Sequence, residues 1–308
     1  MQLHTNHLVK DTKADRIFKV FLYLFIALAV LLVIYPLIYI ISASLSSPES
    51  VNSGAMWLLP KGFNWEGYKV IFNYGDIWRG YGMTIFYTVT GTAVSLALTI
   101  PCAYAISRKD FSGRAWFTNF MLVTMFVGGG LIPTYLLIRT LGWVNTVWAL
   151  IIPGAASIYN IIVTRAFFQG NIPWEMQEAA IIDGASDFQL FFKIVLPLSA
   201  PIIAVMALFY GVGQWNSYFG ALVYLQNKNL YPLQMVLRQI LVLQDMQTGA
   251  ATGATVTEAT AKAAYSQAQL VAVIKYGVMI VSSLPVIIIY PFLQRFFVKG
   301  VLIGSLKG

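Results

Sequence analysis

Charge is scarce in this sequence. Asp, Glu, Lys and Arg make up 10% of its residues, against about 25% in a soluble domain. Long stretches carry no Asp, Glu, Lys, Arg or His at all: Val20 to Pro48, Gly80 to Ser107, Ala115 to Ile138, Thr140 to Thr164, Ile194 to Asn227 and Tyr276 to Gln294. Carriers that harvest an ion gradient keep ionisable side chains at membrane depth as relay sites, so this absence disfavours a secondary transporter. Cys102 is the one cysteine, which excludes an intrachain disulfide and a thiolate metal cluster and leaves a small packing residue. Histidine is nearly absent too. His4 and His7 lie in the N-terminal tail with no other ligand spacing around them, and read as solvated. A phosphate-cradling G-x-x-x-x-G-K-[ST] loop is missing, and so is any metal or nucleophile constellation, which disfavours a membrane enzyme. No repeat of about 20–50 residues is evident. No separate basic domain points to nucleic acid.

What the chain does contain is apolar length. Hydrophobic residues make up 58% of it, and the mean hydropathy is +0.71. A soluble core cannot absorb that much apolar surface. About 20 apolar residues cross a bilayer as a helix, and the sequence predicts six such spans near 18–43, 83–106, 116–138, 144–168, 201–226 and 271–294. The first is too long, and wrongly flanked, for a removable signal peptide. The expected fold is therefore an all-α, polytopic membrane protein: an N-terminal tail over 1–17, a six-helix membrane domain over 18–296 and a C-terminal tail over 297–308.

Orientation follows from the basic residues. Arg108, Lys109 and Arg114 crowd the turn between the second and third spans, whereas the next turn has only Arg139. With the N-terminus inside, twelve Lys and Arg fall on the cytoplasmic side and eight on the outer side. An even number of spans returns the C-terminus to the cytoplasm, so the net charge of +8 is mostly a topology signal. Trp57, Trp65, Tyr68, Phe72, Tyr74 and Trp78 in the outer 44–80 connection are rings of the kind that gather at the membrane interface.

The main polar interruption is the 169–200 segment between the fourth and fifth spans, which falls on the cytoplasmic side. It contains two short helix patterns. The first follows Pro173, with Trp174, Glu175, Glu178, Ala179, Ala180, Ile182 and Asp183, and is broken by Gly184. The second opens with Ser186 and Gln189, an S-x-x-Q capping box, and carries Asp187 in its first turn. Phe188, Phe191, Phe192 and Val195 form its apolar side. Ala179, Ala180, Gly184 and Ala185 are small enough for close backbone approach to a partner. The bland alternative is an amphipathic connector with its phenylalanines in lipid.

The pattern E-A-A-x-x-D-G-A-x-x-x-x-x-F-x-x-I-x-x-P from Glu178 to Pro197 resembles the coupling loop of ATP-binding-cassette (ABC) importer permeases. The stretches Trp57–Phe72, Gly128–Pro153, Gln214–Leu225 and Gly300–Gly308 resemble the maltose-type, carbohydrate-uptake branch, in particular its G-type subunit. The Gly128–Pro153 and Leu230–Leu243 stretches look most like the subgroup for complex oligosaccharides, including plant-polysaccharide and uronate-containing fragments. The resemblance implies a bacterial plasma-membrane subunit paired with a second, non-identical permease, driven by an ABC ATPase dimer and supplied by an extracytoplasmic sugar-binding protein. It implies that this chain is not itself an enzyme and binds no cofactor, ATP and Mg being held by the ATPase. Glu178, Ala179, Ala180, Asp183, Gly184, Ala185, Phe188 and Phe191 would couple to the ATPase, with Phe188, Phe191 and Phe192 anchoring the segment to the bundle or the ATPase cleft. Gly304, Ser305, Leu306 and Lys307 would reach into the ATPase dimer, the alternative being a frayed terminus.

A sugar path is also expected from side-chain chemistry. Tyr210, Gln214, Trp215, Asn216 and Tyr218 gather amides and rings in the fifth span, and Asn160 and Thr164 share a face of the fourth. The competing reading is polar glue between helices. In the maltose system, moreover, the sugar site lies mainly on the other permease. The outer 243–270 insertion, rich in Ala, Thr and Gly, is expected to contact the binding protein, with disorder as the competitor. An ABC permease for a non-sugar solute is the alternative function.

Overall fold

The computed structural model describes residues 12–250 and 274–291, with side chains over 12–242 and 274–291. The predicted tail contact at Gly304, Ser305, Leu306 and Lys307 lies outside the described residues, as does the 243–270 insertion beyond residue 250. Every regular element among the described residues is helical. They fall into two compact units: residues 12–71, 247–250 and 274–280, and residues 72–246 with 281–291.

In the first unit, α1 (Lys13–Ser44) starts on a Thr12–Asp15 capping box: the Thr12 N–H donates to Asp15 Oδ2 at 2.9 Å, and the Asp15 N–H to Thr12 Oγ1 at 3.2 Å. Its apolar side chains are exposed almost throughout, and burial begins only at Ser42, Ala43 and Ser44. The serine-rich stretch that follows satisfies its own backbone. Ser42 Oγ donates to the Leu58 carbonyl at 2.6 Å, the Lys61 N–H donates to Ser46 Oγ at 3.1 Å, and Ser47 caps the short α2 (Pro48–Asn52). The helix α3 (Glu66–Asn73) follows.

The second unit is built around α4 (Gly75–Ser107). Gly80, Thr84, Tyr87, Gly91, Ser95, Thr99 and Ala103 are its buried seam, spaced by three and four. Most are small, so neighbouring backbones approach closely without needing a hydrophobic drive that lipid cannot supply. The helices α5 (Arg114–Phe126), α6 (Leu131–Thr140), α7 (Trp148–Ile151), α8 (Ile158–Asn171) and α9 (Trp174–Ile182) come next. Then follow α10 (Asp187–Leu198), α11 (Ala200–Trp215), α12 (Phe219–Tyr224) and α13 (Leu233–Ala250). The last described element is α14 (Ile274–Pro291). Along α4 pack α8 and α11.

Three helices, α1, α4 and α14, are long and apolar enough to cross a membrane, or up to five spans if the bent pairs α5–α6 and α10–α11 each count as one. The pairs bend by 112° and 77°. The expected third span, 116–138, is broken at 127–130, where three successive glycines each cost about 1 kcal/mol relative to Ala in a helix. The expected fourth, 144–168, is not one helix either: it stops at Ile151, and α8 begins only at Ile158, past Pro153 and Gly154. The expected fifth, 201–226, is interrupted at 216–218.

Candidate functional site: a cytoplasmic elbow and a cleft between broken helices

The polar 169–200 segment folds as two linked helices, as its local signals require. Pro173 sits at the N-cap of α9, whose first turn carries Glu175. The helix ends at Gly184, at φ +78°, where the Gly184 N–H donates to the Ile181 carbonyl at 3.0 Å and the Ala185 N–H to the Ala180 carbonyl at 2.9 Å. A left-handed residue closing a helix this way is ordinarily glycine. No atom lies within 4 Å of where a Gly184 Cβ would stand, so the requirement is one of backbone conformation alone. The Ser186–Gln189 capping box forms in full: Gln189 N–H to Ser186 Oγ at 3.3 Å and Ser186 N–H to Gln189 Oε1 at 3.1 Å.

Ala180, Leu190 and Val195 are buried among Ile100, Ala103, Tyr104, Ile106, Ile161, Phe168 and Ile172 of α4, α8 and the linker before α9. Half-buried Cys102 packs at the edge of this cluster. Phe191 lies against the Tyr104 ring, 5.2 Å between centroids, and Phe168 meets the same ring edge-on at 5.8 Å. The three phenylalanines therefore do not act together. Phe191 roots the elbow in the bundle, whereas Phe188 is 78% exposed and Phe192 57%. Within α10 the turn Leu190–Val195 is a π-helix, and this wider turn separates the residues facing inward from those facing outward. The outward surface is Ile182, 85% exposed, with Phe188, Ala179, Glu178, Asp183 and Gly184. Ala185 is partly buried against the cluster. Glu178 is not loose: its carboxylate accepts from Trp174 Nε1 at 2.6 Å, and Lys109 stands 5.9 Å over the same indole.

A basic residue that the sequence marked only for topology ties the elbow down. Arg108 Nη1 donates to Asp187 Oδ1 at 3.0 Å and to the Tyr104 hydroxyl at 3.1 Å, and its guanidinium also pairs with Asp110. The Asp110 bond is the chief reason the Arg108 pKa is raised, and the same bond lowers that of Asp110 below the ordinary aspartate range. No pattern in the sequence links Arg108 to Asp187, since the two are 79 residues apart.

The expected sugar-path residues divide. Asn160, Tyr210 and Gln214 line one cleft of about 350 Å³ together with Ser157, Ser217 and the Pro153–Gly154 break. Trp215 does not: it is buried, its Nε1 donates to the Ser282 carbonyl at 3.1 Å, and it borders a separate apolar cavity of about 820 Å³. Asn216 and Tyr218 fall beyond the end of α11, so Tyr218 does not continue the face of Tyr210 and Gln214. Gln214 needs Gly91 opposite it, because a Cβ there would come within 2.8 Å of its Nε2.

No family model matches the chain. Whole-length relatives do. Protein LplC of Bacillus subtilis (strain 168) is 41% identical over 307 residues, covering 100% of this chain and 99% of that one. The polygalacturonan/rhamnogalacturonan transport system permease protein YtcP of the same organism is 39% identical, over 96% of this chain and 99% of its own. Among solved structures, a chain of a bacterial ABC transporter involved in the import of the acidic polysaccharide alginate superposes with a TM-score of 0.81 at 33% identity, over 93% of this chain and 99% of that one. Full-length likeness to these proteins, with the two-helix elbow in place, makes this chain a member of the permease family of carbohydrate-importing ABC transporters.

Proposed function

We propose that this permease subunit moves an oligosaccharide into the cytoplasm by alternating access, driven through its elbow by a separate ATPase dimer. The observation that carries the reading is the division of the elbow into a rooted side and a free side. Ala180, Leu190, Phe191 and Val195 fasten it to α4 and α8, while Ile182 and Phe188 point away with almost no cover. A capped, rooted helix transmits displacement where a slack loop would absorb it, and large apolar side chains left outside fit a partner's cleft. ATP and Mg belong to that partner.

The rest of the assembly follows on the same reading: a second, non-identical permease, an external sugar-binding protein, six spans in the bacterial plasma membrane and both termini in the cytoplasm. The basic residues of the 2–3 turn support the orientation. Two broken helices standing where single spans were expected support six crossings, since interrupted helices are common in transporters. The cargo class is supported by YtcP, named for polygalacturonan and rhamnogalacturonan transport, and by the alginate importer.

The test is Gly184→Pro. Proline cannot adopt φ +78° and removes the N–H that bonds the Ile181 carbonyl. The assembled importer carrying it is expected to hydrolyse ATP without sugar uptake. Normal uptake by the variant would remove the elbow from the mechanism.

A further inference from the structure

Two helix interruptions meet at the cleft. The chain is irregular between α7 and α8 at 152–157 and between α11 and α12 at 216–218, and both breaks contribute to its lining through Pro153, Gly154, Ser157 and Ser217. Irregular backbone at membrane depth persists only where protein buries it or where it borders a polar cavity. Asn160 lines the same space. It is 7% exposed, and its backbone N–H bonds Ser157 Oγ at 3.4 Å, but its side-chain amide has no hydrogen-bond partner in the structure. The Gln214 amide, also facing the cleft, has none either. An amide kept from water without a partner costs about 1–3 kcal/mol, and each can both donate to and accept from a ligand.

Tyr210 has the opposite arrangement. Its hydroxyl accepts from the Ser157 N–H at 3.3 Å and shares a hydrogen bond with Thr99 Oγ1 at 2.6 Å, so its polar capacity is used inside the protein and its ring remains as wall. No Asp, Glu, Lys, Arg or His lines the cleft. Its volume of about 350 Å³ lies within the range of roughly 300–1,000 Å³ that small-molecule sites occupy.

We propose that this cleft is a hydroxyl-reading subsite for an uncharged glycosyl unit, supplied by this chain itself. The amides of Asn160 and Gln214 exchange hydrogen bonds with sugar hydroxyls, and Tyr210 is a tethered aromatic wall for a C–H face. The proposal rests on the importer reading and adds to it that the G-type subunit handles cargo, and that it does so without reading carboxylates. Where the cargo contains uronates, their charge is recognised elsewhere.

The complete importer, with its partner permease, ATPase and binding protein, is reconstituted in proteoliposomes. Uptake is followed for the sugars its binding protein retains from a panel of neutral and uronate-containing di- to tetrasaccharides. Asn160→Ala and Gln214→Ala are each expected to lower uptake about tenfold, the loss of one hydrogen bond, while the subunits co-purify in wild-type proportion. Tyr210→Phe keeps the ring, and is expected to lower uptake less than Asn160→Ala while lowering the complex's Tm. Unchanged uptake in both amide variants overturns the subsite. So does a fall in uptake matched by loss of the second permease from the preparation, since the amides would then be glue between subunits. A wild-type complex that hydrolyses no ATP and imports none of the panel would instead remove the importer reading, an outcome the variants do not mimic.

Discussion

Arg108 marks, in the sequence, the inner side of a turn; in the fold it is the latch between α4 and the elbow. Its exposed pair with Asp187 is worth about 0–1 kcal/mol, so its role is to fix geometry rather than to hold the fold. Arg108→Gln is expected to leave Tm within a few degrees and to lower sugar-stimulated ATP hydrolysis several-fold, read in the reconstituted complex. A pH effect follows from Asp110, whose folded pKa is depressed chiefly by the Arg108 bond. A depressed carboxylate contributes stability above its unfolded value, about 3.9, and that contribution is lost as pH falls through the lower folded value. The wild-type turn should therefore loosen below about pH 4, and Arg108→Gln should remove that acid step, as monitored by proteolysis or hydrogen exchange of residues 107–114. Such long-range pairs are what the sequence hides. Gly184, the Ser186–Gln189 box and the start at Pro173 were all legible, because each is decided by residues within four positions of it. The tethering of the Tyr210 hydroxyl to Thr99 and Ser157 was not, because it depends on three helices meeting.

The helices themselves show why hydropathy reads a membrane protein only in outline. A window sums composition, so α5–α6, α7–α8 and α11–α12 each read as one apolar span, although Gly128–Gly130 and Pro153–Gly154 stood in plain view. Tertiary neighbours satisfy the freed backbone at such breaks, which is why they are permitted. At 145, for instance, the Asn145 side chain accepts from the N–H groups of Gln226 and Asn227 at 2.9 and 2.8 Å. The phase of α10 was misleading for a different reason: the π turn Leu190–Val195 departs from the 3.6-residue period on which Phe188, Phe191 and Phe192 appear to share a face. This gives the element a paired prediction. Leu190→Ala, at a fully buried position, is expected to destabilise the elbow by about 2–5 kcal/mol, seen as a lower Tm of the complex. Phe188→Ala is expected to change stability by less than about 0.5 kcal/mol, as exposed substitutions do, yet to reduce ATPase association measured by co-purification.

At the scale of the whole chain, scarcity of charge explains most. The apolar stretches hold no titratable relay, and the basic residues that exist are spent on orientation and on the Arg108 latch. Force must then enter through the one region with helices, caps and uncovered apolar side chains at the inner face. Orientation is open to direct measurement in a Cys102→Ala background. A membrane-impermeant thiol reagent applied to intact cells should label Leu59→Cys and not Phe188→Cys, and the pattern should reverse in inverted vesicles. The most direct test of the central claim uses the same Phe188→Cys variant in the assembled complex. Short-range crosslinking from position 188 is expected to capture the nucleotide-hydrolysing subunit, with a yield that changes between ATP-bound and nucleotide-free states. A position 188 that crosslinks only to lipid or to the permease pair in both states would contradict the account.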